Sequence, residues 1–281
     1  MGKWIAVLVA LFMPVSARAQ EDRPLRTETA ELLGIGAVRA EFGIDFLHRQ
    51  RYSLSGLEGD LLRLGVTTIR VGAGEYAEFQ ISGVARDFLT VNRRSPAVIP
   101  PTFAGGTTSD FGDLILGTKL KLAGEKGARP ALAFSFAVQL PNASNESGLG
   151  TDQTEFYSKL LLTKHLGKVA FRGNLGLAIL GSPVQPNSQA DLLTYGFAIL
   201  APVHAGLELV GEVRGRQGPL RIGNENMSRV QLGARVRMAG LLWEIAGVAG
   251  LRRFDPGSGL LLGVTYDFQA FHRKRGPVTI R

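Results

Sequence analysis

Beyond Arg39 the chain alternates apolar with polar or small residues at period two, many times over, and no stretch of ten residues there repeats apolar positions at helical spacing. Near the C-terminus Leu260, Leu262, Val264, Tyr266 and Phe268 share one face, and Leu261, Gly263, Thr265, Asp267 and Gln269 share the other. The same reading sets Val230, Leu232, Ala234, Val236 and Met238 against Arg229, Gln231, Gly233, Arg235 and Arg237, and Leu132, Phe134, Phe136, Val138 and Leu140 against Ala131, Ala133, Ser135, Ala137 and Gln139. Marking every such run predicts strands near 38–48, 60–72, 76–90, 110–122, 130–140, 153–164, 168–180, 190–200, 205–216, 228–238, 241–253 and 259–269, the second and third with the weakest pattern. Each reaches the roughly 9–11 residues that let a tilted strand cross a bilayer and exceeds the roughly 5–6 of ordinary sheets.

The connections carry independent information. Every second one is short, as at Ala73-Gly74-Glu75, 123–129, His165-Leu166-Gly167, 201–204 and Ala239-Gly240, while those at 91–109, 141–152, 181–189 and 217–227 are long and rich in turn formers. Short periplasmic turns and long external loops are the asymmetry of outer-membrane barrels, and an even strand count returns both termini to the periplasm. The expected fold is therefore all-β, a transmembrane antiparallel up-and-down β-barrel of about twelve strands spanning 38–271.

What precedes the barrel supports that location. Lys3, the apolar run Trp4 to Val15 and the small-x-small site Ala17-Arg18-Ala19 read as a cleaved signal peptide over 1–19, because the run is too short for a span and contains Pro14. Residues 20–37 form a periplasmic N-terminal segment able to enter the lumen as a plug, and 272–281 a basic periplasmic tail. The chain has no cysteine, which removes disulfides and thiolate metal sites. Most of the net charge of +8 resides in Lys3 and Arg18 of the leader and in Arg273, Lys274, Arg275 and Arg281 of the tail, so no nucleic-acid-binding footprint remains. Glycine reaches 36 of 281 residues, nearly twice the usual ~7%.

A secreted sandwich would also alternate, with its polar faces turned to water. Here those faces are rich in Gly, Ala and Ser with isolated charges, which suits a crowded lumen. Aromatics near strand ends suit an interfacial belt: Phe171, Trp243, Tyr266 and Phe268 at the periplasmic rim, Phe46 and Phe156 at the external one.

Three motifs carry a resemblance over about residues 60–270: Phe111-Gly112-Asp113-Leu114-Ile115-Leu116-Gly117-Thr118-Lys119, then Pro130 to Phe134 leading to Gln139-Leu140-Pro141, and Gly148-Leu149-Gly150-Thr151. With them the chain resembles the outer-membrane barrels classed as transporters of the phenol-degradation meta-pathway. The resemblance implies a channel-like protein for passive uptake or efflux of small hydrophobic or aromatic compounds, with no catalytic residues, no cofactor and no particular permeant. Its partners would be outer-membrane lipid and lipopolysaccharide, the barrel-assembly machinery and a small-molecule permeant, with no nucleic acid. Barrels of this kind usually end on an aromatic residue used in assembly, whereas this chain continues ten residues past Phe271. The alternative is a non-conducting structural or lipid-interacting barrel.

Alternation places Glu41, Asp45, Arg63, Asp113, Lys119, Lys121, Glu155, Lys159, Arg172, Glu208, Glu212, Arg214, Arg235, Arg237, Glu244 and Asp267 on the lumen face. Acids and bases are equal in number, which suits a paired network because unpaired buried charge is costly; as a selectivity lining, the arginines on 228–238 would favour anions. Arg49, Arg51, Arg93, Arg94, Arg216, Arg221, Arg252 and Arg253 fall at external ends and loops, where guanidinium forks could meet lipopolysaccharide phosphates. Enzymatic readings are weaker. Of four histidines, His165 and His204 fall in periplasmic turns and His272 in the tail, leaving only His48, with Ser53 and Ser55 nearby, for an outer-leaflet hydrolase. No His or carboxylate pair shows metal-ligand spacing on one strand, and Gly34-x-Gly36 lacks the rest of a dinucleotide fingerprint.

Overall fold

The computed structural model describes residues 26–271; the signal peptide and the basic tail lie outside them. The segments are β1 (Ala37–Arg51), β2 (Leu57–Gly72), β3 (Ala77–Arg94), β4 (Thr107–Asp110), β5 (Leu114–Ala123), β6 (Ala131–Leu140), β7 (Glu155–Leu166), β8 (Val169–Gly181), β9 (Gln189–His204), β10 (Leu207–Gln217), β11 (Met227–Met238), β12 (Leu241–Gly250) and β13 (Ser258–Gln269). Chain neighbours pair antiparallel, except that β4 and β5 both pair with β3 and not with each other, and β1 closes the sheet on β13 from Ala37↔Gln269 to His48↔Ser258. Closure leaves no open sheet edge, as a hydrocarbon surrounding demands when water cannot satisfy backbone groups.

Twelve staves make the wall, because β4 and β5 are two parts of one. Asp87↔Asp110 on the upper part and Ser82↔Ile115 on the lower continue a single register against β3. The interruption belongs to a larger irregularity. Between β1 and β2 the register slips at Gly43/Ile44, leaving Gly65 without a partner in a left-handed conformation (φ 64°). A Cβ on Gly65 would sit 2.8 Å from that of Ala85, and one on Gly112 would sit 2.6 Å from Val84 Cβ. Across this line of close approach the inward parity reverses. Leu57, Leu61 and Arg63 face the interior above it and Val66, Thr68 and Arg70 below; on β3 Asp87 and Leu89 do so above and Glu78 below. That reversal is why the second and third runs alternate poorly in sequence: each holds two patterns of opposite phase joined at a bulge.

The outward faces are apolar. Phe42, Phe46, Phe79, Phe134, Phe156, Phe197, Trp243 and Phe268 are exposed, with many Leu and Ile beside them. Charge is turned inward, the arrangement of a wall that meets lipid. Tyr266 stacks on Phe268 at 5.6 Å, and Phe171 lies 6.4 Å from Phe197.

Candidate functional site

The interior is a charge network with a peptide running through it. Arg39 makes a two-pronged pair with Asp267 at 2.6 and 2.8 Å, Arg70 meets Glu41 at 3.2 Å, Arg63 meets Asp87 at 3.1 Å, and Lys119 meets Glu78 at 3.0 Å with both side chains almost wholly buried. Arg235 is paired with Glu208, and Arg229 with Asp255 at 2.9 Å. Asp113 binds Gln139 and the backbone of Asn142 and Ala143, and Tyr157 donates to Glu155. Arg172 and Glu244 are buried as well.

Two of the charges expected in the lumen fall elsewhere: Lys121 and Arg237 are exposed at the short-turn ends of β5 and β11, past the buried network. Alternation gives the side of a strand but not how far the strand runs beyond the packed interior. Conversely Arg39, Arg70, Glu78, Asp87, Arg229 and Asp255 were not among the expected network. Arg70, Glu78 and Asp87 lie on the two strands of reversed phase, and Asp255 sits in the β12–β13 loop, where it accepts from the backbone of Ser228 and Arg252.

Residues 26–33 lie within the barrel, held at nearly every position. The amides of Arg26 and Thr27 donate to Glu212, the first at 3.0 Å. Glu28 and Asn174 bind each other reciprocally, backbone to side-chain amide, at 2.7 and 2.9 Å, and Lys159 pairs with the Glu28 carboxylate at 2.6 Å. Ala30 donates to Thr163 at 2.9 Å, Lys119 donates to the Glu31 carbonyl at 3.3 Å, and Leu33 donates to Glu78 at 2.8 Å. A strap with no sheet partner must find such acceptors, since a buried amide left unpaired costs about 1–3 kcal/mol. Gly196 makes room for it: a Cβ there would come within 2.6 Å of Thr27 Oγ1.

Space remains around the strap. A cavity of about 400 Å³ on the long-loop side and two of about 290 and 240 Å³ beside the strap all touch Arg26 and Arg214. Arg214 stands 3.6 Å from Glu212, the carboxylate that holds the strap, and Arg26 stands 3.6 Å from Asp45.

At the short-turn end Glu125 receives Lys164 at 2.6 Å and His165 Nδ1 at 2.7 Å. Burial opposes ionisation of Glu125, but these hydrogen bonds outweigh it and hold the carboxyl down to about 2. Ligand atoms of Glu31, Glu125 and His165 lie within 4.8 Å of one another, a grouping drawn from the strap, the β5–β6 turn and the end of β7 that no spacing in the sequence displays. Lys164 already occupies that carboxylate.

At the opposite end His48 binds Asp60 at 2.7 Å, while Ser53 accepts from the Gly223 amide and Ser55 donates to the Gly148 carbonyl. Neither serine is hydrogen-bonded to the histidine, so no nucleophile and base are assembled there. Arg49 and Arg51 share Glu58, Arg94 lies over Phe103, and Arg216 turns back to the Glu225 carbonyl.

Among solved structures the chain is similar to an outer membrane channel from Pseudomonas putida F1, at 18% identity and a TM-score of 0.60 over 88% of this chain and all of that one. The translocator domain of the autotransporter NalP from Neisseria meningitidis matches with a TM-score of 0.48 at 13% identity, over 84% of this chain and 90% of that one. No curated protein matches. The fold is that of an outer-membrane β-barrel, and residues 22–239 match the family described as MetA-pathway of phenol degradation, to which this chain belongs.

Proposed function

We propose that this barrel is an outer-membrane channel for passive movement of small, hydrophobic or aromatic compounds, closed at rest by its own N-terminal strap. The carrying observation is that a peptide runs through the charge network of the lumen, with cavities along it that share Arg26 and Arg214. A barrel serving only as scaffold has no need of a peptide threaded beside cavities. The structural similarity to an outer membrane channel and the family membership support the reading. A cleaved leader and assembly by the barrel-assembly machinery are part of it. The lipopolysaccharide contact narrows to Arg49, Arg94 and Arg252, because Arg51, Arg93, Arg221 and Arg253 line a cavity among the loops and Arg216 lines a lumen cavity.

Planar-bilayer recording of the purified full-length protein tests the proposal. Wild type should show small unitary steps, and a variant carrying Asn174→Ala with Glu212→Ala, which releases the strap at two anchors, should show larger or longer openings. Silence from both proteins after verified folding would favour a non-conducting structural or lipid-interacting barrel.

A further inference from the structure

The external loops do not stand apart. The β10–β11 loop (218–226) crosses the mouth to the β1–β2 loop (52–56), where the Gly223 amide donates to Ser53 at 3.1 Å, and the β6–β7 loop (141–154) joins the same hub through Ser55 and the Gly148 carbonyl at 2.8 Å. Leu54 and Asn224 are buried by this convergence. Between the loops lies a cavity of about 670 Å³, within the roughly 300–1,000 Å³ usual for small-molecule sites.

Its chemistry is two-sided. Arg51 and Glu58 neutralise each other at 3.0 Å, and Glu225 is held by the Gly223 amide. Arg93, Arg221 and Arg253 also line the cavity. Arg93 stands opposite Glu58 in the β2–β3 register and adds its charge to that of Arg51 on that carboxylate. Among the described residues Arg221 and Arg253 pair with no carboxylate, Arg221 donating to Ser188 and Arg253 lying over Phe254. Beside them Leu220, at 84% exposure, and Ile222, at 49%, present apolar surface to water inside the same cavity. Four arginines against two glutamates leave an excess of positive charge, which next to uncovered aliphatic side chains complements a molecule that carries one anionic group and one apolar body.

Tyr52 lines both this cavity and the inner one of about 400 Å³, and packs on the buried Leu47, Leu57 and Leu61 cluster. On its inner side Arg63 and Arg229 line the wall. The two cavities thus adjoin at Tyr52.

We infer that the loop cavity is a capture site for small amphipathic organic anions, a carboxylate on an aromatic or aliphatic body, with the carboxylate on Arg93, Arg221 and Arg253, the body on Leu220 and Ile222, and Tyr52 as the gate inward. The inference rests on the channel reading and gives it a substrate class. Guanidinium groups that face a pocket enclosed by loops are turned away from phosphates in the surrounding leaflet, so a dissolved anion is the occupant.

Benzoate, benzyl alcohol and inorganic phosphate are the probes. Added from the loop side in bilayer recordings, benzoate should interrupt the current at concentrations where benzyl alcohol and phosphate do not, and the double variant Arg93→Ala with Arg253→Ala should weaken that block about 10-fold or more, as loss of charge-assisted hydrogen bonds predicts. Leu220→Asp should weaken it too. If wild type carries no current, the channel reading fails, and the capture site is then judged by saturation-transfer NMR of benzoate on the folded protein in detergent micelles. Saturation lost in the double variant upholds the site; absent or unchanged saturation overturns it. Equal block by benzyl alcohol, or full displacement of benzoate by equimolar phosphate, also overturns it, the second marking a plain phosphate site such as a lipid headgroup would use. Heat-modifiable gel mobility confirms that each variant is folded.

Discussion

Single side chains inside this barrel are committed to partners from distant parts of the chain, and the cost of removing one is set by what it leaves behind. Glu78 neutralises Lys119 and also receives the Leu33 amide of the strap. Glu78→Ala should destabilise the fold by roughly 3–5 kcal/mol, read by urea unfolding in lipid, because it strands a buried ammonium; Glu78→Leu with Lys119→Met should recover most of the loss. An equal loss in single and double variants would mean that the pair does not act as a unit. At the short-turn end Glu125 has its carboxyl depressed to about 2 from an ordinary 4.5. Its stabilising contribution is present above about 4.5 and disappears as pH falls toward 2. Wild type should therefore lose stability between pH 4.5 and 2 more steeply than Glu125→Gln, and parallel pH profiles for the two would refute the latch. Lumen charges such as Asp45, Lys119, Glu212 and Arg235 were legible as inward-facing from alternation alone, since a side chain's face follows from its parity. Their partners were not, because pairing joins strands far apart in sequence.

At the scale of elements, eleven of the expected strands appear as continuous segments, and the fourth is split into β4 and β5. The split and the weak patterns of β2 and β3 share one cause, the line of close contact through Gly65, Ala85 and Gly112 where inward parity reverses. A period-two reading assumes constant phase and so loses strength where a bulge changes it. Gly65→Val tests that account: a left-handed backbone and a Cβ 2.8 Å from Ala85 should cost about 1–2 kcal/mol or more. Ile69→Val, on the lipid face of the same strand, is the control and should be nearly neutral in the same unfolding assay; equal effects would show that the bulge carries no constraint. The strap is the other element decided by structure. Its residues Thr27, Glu28, Thr29 and Ala30 show no periodicity, being held by side chains of β7, β8 and β10 rather than by a ladder.

For the whole molecule, loop length assigns the two ends, and the absence of cysteine makes that assignment simple to test. With Val98→Cys in the β3–β4 loop and Lys126→Cys in the β5–β6 turn, a membrane-impermeant maleimide should label the first on intact cells and the second only after the outer membrane is opened. The reverse pattern would invert the orientation and place the loop cavity in the periplasm.

The sequence by itself determined that strands cross a membrane, how many staves the wall has, which residues face lipid and which end carries the long loops, because each of these follows from local period and from turn length. Tertiary structure alone decided that the lumen holds a strap, that Glu78 serves both Lys119 and Leu33, and that Arg93, Arg221 and Arg253 meet over one cavity with Tyr52 as its floor. Those facts depend on the closure of β1 on β13 and on loops crossing the mouth, which bring together residues that no short-range pattern connects.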